Sequence, residues 1–266
     1  MRLSKIIACV VIGAAALNFS GCGQDVKNKN SPAPKTSART SETSEEINKL
    51  NELYNTYFKM KDFDMAIEYA RKTTEIEPKN DAAWNRLGLT YLEKGEYDTA
   101  INYLRKATEL NPKNGSAWSN LGSVYNNKGE YDTAINYFRK ATELNPKNDS
   151  AWNGLGRAYN GKGDYDTAIN YLRKATELNP KNDAAWNNLG WAYYEKGDYD
   201  TAINYLRKAT ELNPKNDAAW NGLGLAYYKK GYYSQALEYF EQAVTLKPDN
   251  DNYRKNRDAT RARLTY

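Results

Sequence analysis

Five of the six tryptophans in this chain, Trp84, Trp118, Trp152, Trp186 and Trp220, stand 34 residues apart, and the residues around them return in the same register. A chain that rewrites one short unit does not wrap it around a central core; each copy buries its apolar face against the next, in a line. Length here counts units rather than domains.

The unit from Asp183 to Asn216 reads DAAWNNLGWAYYEKGDYDTAINYLRKATELNPKN. Its Trp186, Leu189, Gly190 and Tyr193 follow the i, i+3, i+4, i+7 spacing of one helix face, and Ala202, Leu206 and Ala209 repeat that logic on a second helix. In the copy 81–114, Lys94-Gly95-Glu96 supplies the turn between the two, with Gly95 free to take a left-handed conformation. Asn111-Pro112 ends the pair, since proline cannot continue a helix and biases the residue before it away from helical angles. Gly88 in mid-helix costs about 1 kcal/mol against alanine, and the expected compensation is a close approach of the two helices. The copies fall at 81–114, 115–148, 149–182, 183–216 and 217–250, with a degenerate one upstream at 47–80. There Leu50 replaces the tryptophan, Tyr54 the glycine and Thr73 an alanine, while Tyr57, Ala66 and Pro78 survive.

Trp186, Leu189, Gly190, Tyr193, Ala202, Leu206, Ala209 and Pro214 match the tetratricopeptide pattern W-x2-L-G-x2-Y, then A-x3-F, A and P, and the chain resembles that family. The resemblance implies an all-α fold, an α-solenoid of six helix-turn-helix units in a right-handed superhelix, with 251–266 as a C-terminal capping helix. It also implies that the first helix of each unit lines a concave groove, with its ninth, twelfth and thirteenth positions pointing inward. Those positions hold Leu89, Leu92 and Glu93; Ser123, Asn126 and Asn127; Arg157, Asn160 and Gly161; Trp191, Tyr194 and Glu195; and Leu225, Tyr228 and Lys229. The fifth position adds Asn85, Ser119, Asn153, Asn187 and Asn221, a row able to bond a peptide backbone. Trp191, Tyr194, Leu225 and Tyr228 are expected to form an exposed aromatic patch beside a polar middle around Arg157 and Asn160, and such anchors mark protein-binding sites. The alternative is that these side chains only fill gaps between adjacent first helices. Co-chaperones of the family grip a terminal carboxylate with Lys and Arg at set positions, and the Asn or Ser at the fifth position here departs from that clamp.

The chain has no histidine, and Cys9 and Cys22 are its two cysteines, which excludes imidazole bases, His-paired nucleophiles and ordinary zinc sites. Carboxylate-only catalysis is disfavoured because acidic residues such as Asp98 and Glu109 recur identically in every middle copy, as helix-end and surface charges do. The net charge of +5 resides in Arg2, Lys5 and the arginine-rich tail, leaving the copies neutral and without the basic stripe of a nucleic-acid binder. Gly154-Leu155-Gly156 and Gly222-Leu223-Gly224 lack the preceding strand and third glycine of a dinucleotide site and read as packing residues. No enzyme activity, cofactor or metal is expected.

Residues 1–21 read as a signal peptide: basic Arg2 and Lys5, an apolar run from Ile6 to Leu17, then Ser20-Gly21 before Cys22. The arrangement resembles a bacterial lipobox with Phe19 in place of the usual Leu, which implies lipidation at Cys22. Residues 22–46, rich in Ser, Thr, Asn, Lys and Pro, are expected to form a disordered tether. The layout implies a lipid-anchored envelope protein, at the outer membrane facing the periplasm if the species has two membranes, otherwise on the outer face of the cytoplasmic membrane. The expected function is a scaffold or adaptor that binds a peptide or helix of a protein partner in the groove. A pilotin-like assembly factor for a secretin or type IV pilus is the alternative, and a structural spacer that self-associates through its near-identical copies is a rival of another class.

Overall fold

A computed structural model describes residues 36–265 of the chain, with side chains from residue 43. The chain divides into two units, 1–40 and 41–266, and the architecture below is that of the second. The expected signal segment 1–21, Cys22 and the tether as far as residue 35 lie outside the described residues.

Among the described residues the chain is all helix: α1 (Thr36–Lys59), α2 (Phe63–Ile76), α3 (Asp81–Glu93), α4 (Tyr97–Leu110), α5 (Gly115–Asn127), α6 (Tyr131–Leu144), α7 (Asp149–Lys162), α8 (Tyr165–Leu178), α9 (Asp183–Lys196), α10 (Tyr199–Leu212), α11 (Asp217–Lys229), α12 (Tyr233–Leu246) and α13 (Asp251–Leu264). From α3 to α12, each odd-numbered helix packs on the even-numbered one that follows, and each even one on the next odd one. Helices α3, α5, α7, α9, α11 and α13 also touch in succession, whereas no two even-numbered helices make comparable contact. That asymmetry puts the first helices on the inner, concave side of an α-solenoid.

Helix α1 starts at Thr36, ahead of the expected boundary at Ile47, so residues 36–46 are helical rather than irregular tether. The first buried side chain is nonetheless Ile47, followed by Leu50 and Tyr54. Once those three are fixed by packing, a helix extends outward at little cost until a breaker stops it, and no Gly or Pro lies between Pro34 and Lys59.

The motif residues explain the pairing. Gly88 faces α4: a methyl there would overlap Leu104 and lie 3.2 Å from the Ala100 carbonyl oxygen, so only glycine admits this approach. Each periodic tryptophan sends its indole N–H to the carbonyl of the preceding motif proline at 2.9 Å, as Trp118 does to Pro112. Its ring stacks on a second-helix tyrosine that also stacks on a first-helix tyrosine, as in Trp118–Tyr137 at 5.8 Å and Tyr125–Tyr137 at 5.3 Å. Asparagines cap the first helices: Asn114 accepts from the Ala117 N–H, and Asn80, Asn148, Asn182 and Asn216 do likewise.

Neighbouring units are tied by recurring contacts. Lys128, Lys162 and Lys196 pair with Asp98, Asp132 and Asp166 of the unit before. Arg105 and Arg139 donate to the hydroxyls of Tyr125 and Tyr159 in the unit after. Within a unit, Asp81 at the start accepts from both Asn111 and Asn114 at the end, and Asp149 and Asp183 accept from the corresponding pairs.

Helix α13 is placed as the first helix of a seventh unit. Arg254 stands in the tryptophan's place and gives the same bond, to the Pro248 carbonyl at 2.9 Å. Arg257, Asp258 and Arg261 replace the leucine, glycine and tyrosine that would seat another helix, so the array ends in a face that water can cover. The inner side of α13 still docks: Tyr253 is buried and donates to Asp217 at 2.8 Å. Burial, reinforced by the Asp217 carboxylate, pushes the Tyr253 phenol far above its usual range, so it stays a donor.

Two departures from the repeat give stability predictions. Where the later units turn on a left-handed glycine, Gly95 at φ 79° for example, the first has Lys61 at φ 58°. Lys61→Gly should stabilise the N-terminal units by about 0.5–1 kcal/mol, read as a raised urea midpoint. Gly115 stands where Asp81, Asp149 and Asp183 bind the asparagines at the end of their own units, and a Cβ there would meet only ordinary contacts, the nearest at 3.7 Å. Gly115→Asp should restore the link to Asn145 and Asn148 and add about 1 kcal/mol by the same measurement.

Candidate functional site

The concave layer of first helices carries the residues that differ from copy to copy. A cavity of 450 Å3 opens on it, lined from α3 by Leu89, Leu92 and Glu93, from α5 by Asn120, Ser123 and Asn127, and from α7 by Arg157, with Lys94, Gly95 and Tyr97 at the α3–α4 turn. Leu89 is half-buried and Leu92 buried, so they form the apolar floor of a mostly polar cavity. The guanidinium of Arg157 donates to the Asn127 side-chain oxygen at 3.3 Å. Arg157 is exposed at the mouth of the cavity, and partial desolvation there lowers its pKa from the usual arginine value, offset in part by Tyr131. It stays a cation, at some cost in solvation that a ligand's charge would offset.

Leu89, Leu92 and Arg157 thus come together across three units, a grouping that spacing within one unit does not display. Asn160 does not line this cavity; its side-chain oxygen, like that of Asn126, is buried without a donor. Glu93, Asn120, Ser123 and Asn127, with Lys94, Gly95 and Tyr97, complete the lining. Their groove positions signal Glu93, Ser123 and Asn127, but Lys94 and Tyr97 come from outside the first helix and carry no such signal.

The fifth-position asparagines are engaged within the array. Asn85, Asn153 and Asn221 accept from Asn120, Asn188 and Asn256 of the following unit at 2.9, 2.8 and 2.9 Å. Asn187 is the exception, because the donor's place is taken by Gly222 and its oxygen is buried with no partner. Gly222 is small for a reason: its Cα faces Leu206 and Trp191, whose ring would lie 3.4 Å from a Cβ there. Gly154 has the same relation to Phe138, the single change in an otherwise invariant second helix.

The aromatic residues near the C-terminal end are half-buried rather than an exposed patch. Trp191 meets Tyr194 edge-to-face at 5.4 Å, and Tyr194 packs on Tyr199 at 5.5 Å. Tyr228 packs on Tyr233 at 5.1 Å, and Arg263 of α13 lies over both rings. Burial first, then Tyr199 and Glu195, raises the Tyr194 phenol above its usual value. Leu225 is likewise half-buried. The next unit and the terminal helix occupy the space around these rings, so much of their surface serves packing between units. Among the described residues there is no helix long and apolar enough to cross a membrane.

A family model described as the Cilia and flagella-associated protein 70 C-terminal domain matches residues 59–190 and again 116–247, together well over half of the chain. No curated protein sequence matches it. Among solved structures, the chain resembles one in the APC/C hetero-tetramer Cut9–Hcn1, with a TM-score of 0.73 and 23% identity over 82% of this chain and 47% of that one. It therefore spans about half the length of that protein. TTC0263, a tetratricopeptide-repeat protein of Thermus thermophilus, gives a TM-score of 0.60 and 22% identity, over 68% of this chain and 98% of that one. YrrB, described as a tetratricopeptide-repeat protein with an unusual peptide-binding site, gives 0.52 and 25% identity over 73% of this chain and 100% of that one. The periodic motif, the paired helices stacked in line and the matched residues converge: the chain belongs to the tetratricopeptide-repeat family.

Proposed function

We propose that the chain is a protein-binding scaffold, held at a bacterial envelope membrane by lipid on Cys22, that receives a peptide or helix of a partner protein on its concave face. The observation that carries this reading is where the copies differ. Tyr97–Asn114, Tyr131–Asn148, Tyr165–Asn182 and Tyr199–Asn216 are identical apart from Phe138, whereas the inner positions of the first helices hold leucine, serine, arginine or tryptophan by turns. A spacer would need no such variety on one face. The variable residues also line an open cavity rather than being wholly consumed in packing. The resemblance to YrrB, whose description names a peptide-binding site, supports the same face as a peptide receptor.

Anchoring at Cys22 rests on the signal-like residues 1–21 and the cysteine that follows them. An assembly role for secretin or pilus subunits rests on that N-terminal layout together with the tetratricopeptide repeats. The work of the groove is docking, in which no bond is made or broken.

Site-specific photo-crosslinking in the native host tests the scaffold directly, with the probe at Ser123 in the cavity, at Trp191, or at exposed Asn170 on α8. A discrete product from Ser123 or Trp191 and none from Asn170 is expected. Only background from both groove positions, with the protein folded and in place, would favour the spacer. Cys22→Ser should release the chain from the membrane fraction; unchanged membrane association of that variant would remove the lipid anchor from the account.

A further inference from the structure

A cavity of 380 Å3 opens between α11 and α12, and it shares no lining residue with the one on the concave face. Trp220, Glu238, Tyr239, Glu241 and Gln242 line it. Its aromatic part belongs to the stack that every clear copy repeats: Tyr239 lies between Tyr227 at 5.2 Å and Trp220 at 5.9 Å, so Trp220 ends the stack. The other lining residues do not repeat. The three corresponding places hold Asn, Arg and Lys in each copy from 81 to 216, as Asn204, Arg207 and Lys208 do in the unit of Trp186, whereas the last copy has Glu238, Glu241 and Gln242. Two positive charges at these places have become two negative ones.

Packing accounts for one of these carboxylates and not for the other. Glu241 accepts from Arg261 of α13 at 2.8 Å, an ion pair that takes the place of the arginine–tyrosine bond between earlier copies. Glu238 is exposed, one turn earlier on the same face of α12, and no cation pairs with it among the described residues. A carboxylate in that state beside an indole suits a cation, which is attracted by the ring face and by the acid together. The array itself shows which cation fits such rings. The guanidinium groups of Arg139, Arg173 and Arg207 lie over Tyr159, Tyr193 and Tyr227, at 6.0, 5.9 and 5.8 Å from the ring centres. Arg207 therefore occupies the Tyr227 end of the last stack, while among the described residues no guanidinium lies over Trp220 at the other end.

We propose that this cavity receives an arginine side chain of a partner protein, its guanidinium over Trp220 and donating to Glu238. A planar guanidinium stacks on the indole while its edge reaches the carboxylate, a combination closed to the compact ammonium of lysine. The site is separate from the concave groove and does not depend on what the groove binds.

The test is an NMR titration of the isotope-labelled full chain that follows the indole N–H signals of Trp220 and Trp186, each assigned by its loss in the matching Trp→Phe variant. The probes are three short peptides that differ at one central residue: arginine, lysine, or citrulline, the neutral counterpart of arginine. Trp186 is the internal control, since it carries the same stack in a unit with Arg207 and Lys208 in place of Glu241 and Gln242. The arginine peptide should shift Trp220 saturably and leave Trp186 nearly still, with citrulline bound about tenfold and lysine about threefold more weakly. Glu238→Asn restores the residue found at Asn204, and its urea midpoint checks that it folds; it should weaken arginine binding about threefold, as loss of one exposed ion pair does. Equal shifts at both indoles, no response at Trp220, citrulline or lysine bound as well as arginine, or full affinity in Glu238→Asn would each overturn the inference and leave the scaffold reading standing. Background crosslinking from the groove with the Trp220 response intact would remove the groove and leave this site.

Discussion

Everything in this array depends on how closely the two helices of a unit approach. At Gly88, Gly156 and Gly190 the backbone of a first helix lies so near the second that an added methyl would sit 3.2 Å from a carbonyl oxygen and overlap a leucine. That contact costs a glycine in mid-helix, roughly 1 kcal/mol, and overfilling it would cost about 1–3 kcal/mol. It sets the spacing at which the central tyrosine stacks between a tryptophan and a second tyrosine. That spacing also keeps the indole within reach of the proline carbonyl. Since each unit presents the same ridge to its neighbour, one local solution propagates along the chain, and α13 stops it by replacing the seats of the next helix with charge.

The same division frees the concave face. The second helices α4, α6, α8 and α10 carry the framework and differ from one another only at Phe138, whereas the inner positions of the first helices are constrained only by local fit. Where they do carry packing duties, the consequences are visible in pairs of residues. Leu206, with Trp191 beside it, occupies the room left by Gly222, and Phe138 that left by Gly154; in both places the inter-unit asparagine bond found at Asn85 and Asn153 is missing. Asn187 is left with a buried, unpartnered oxygen as a result. The groove is therefore a surface on which packing and recognition compete. The aromatic end has been drawn largely into packing, and the polar middle at Arg157 has not.

The helix pairs, the left-handed turn at Gly95, the close approach at Gly88 and the capping character of the tail were legible in the sequence, because each rests on a residue type whose conformational preference is strong and local. The helical run from Thr36 was not, since Ser- and Thr-rich composition predicts exposure more reliably than backbone angle, and packing at Leu50 and Tyr54 decides the outcome. The meeting of Leu89, Leu92 and Arg157 at one cavity was hidden because it depends on the curvature of three successive units. The fate of the asparagine row was hidden for a related reason: Asn85 finds its donor in Asn120, 35 positions along, and no rule of spacing within one helix reveals it.

The central claim is that framework and recognition are carried by different residues, and levelling the groove tests it most directly. A chain with Ser123→Leu and Arg157→Leu carries at both places the leucine that Leu89 and Leu225 already provide, and its urea midpoint can be measured beside its complex formation in the native host. The account predicts a midpoint unchanged or slightly raised, together with loss of the complex. A lowered midpoint would place Ser123 and Arg157 in the framework, and a midpoint and a complex that both survive would contradict the assignment of recognition to this face.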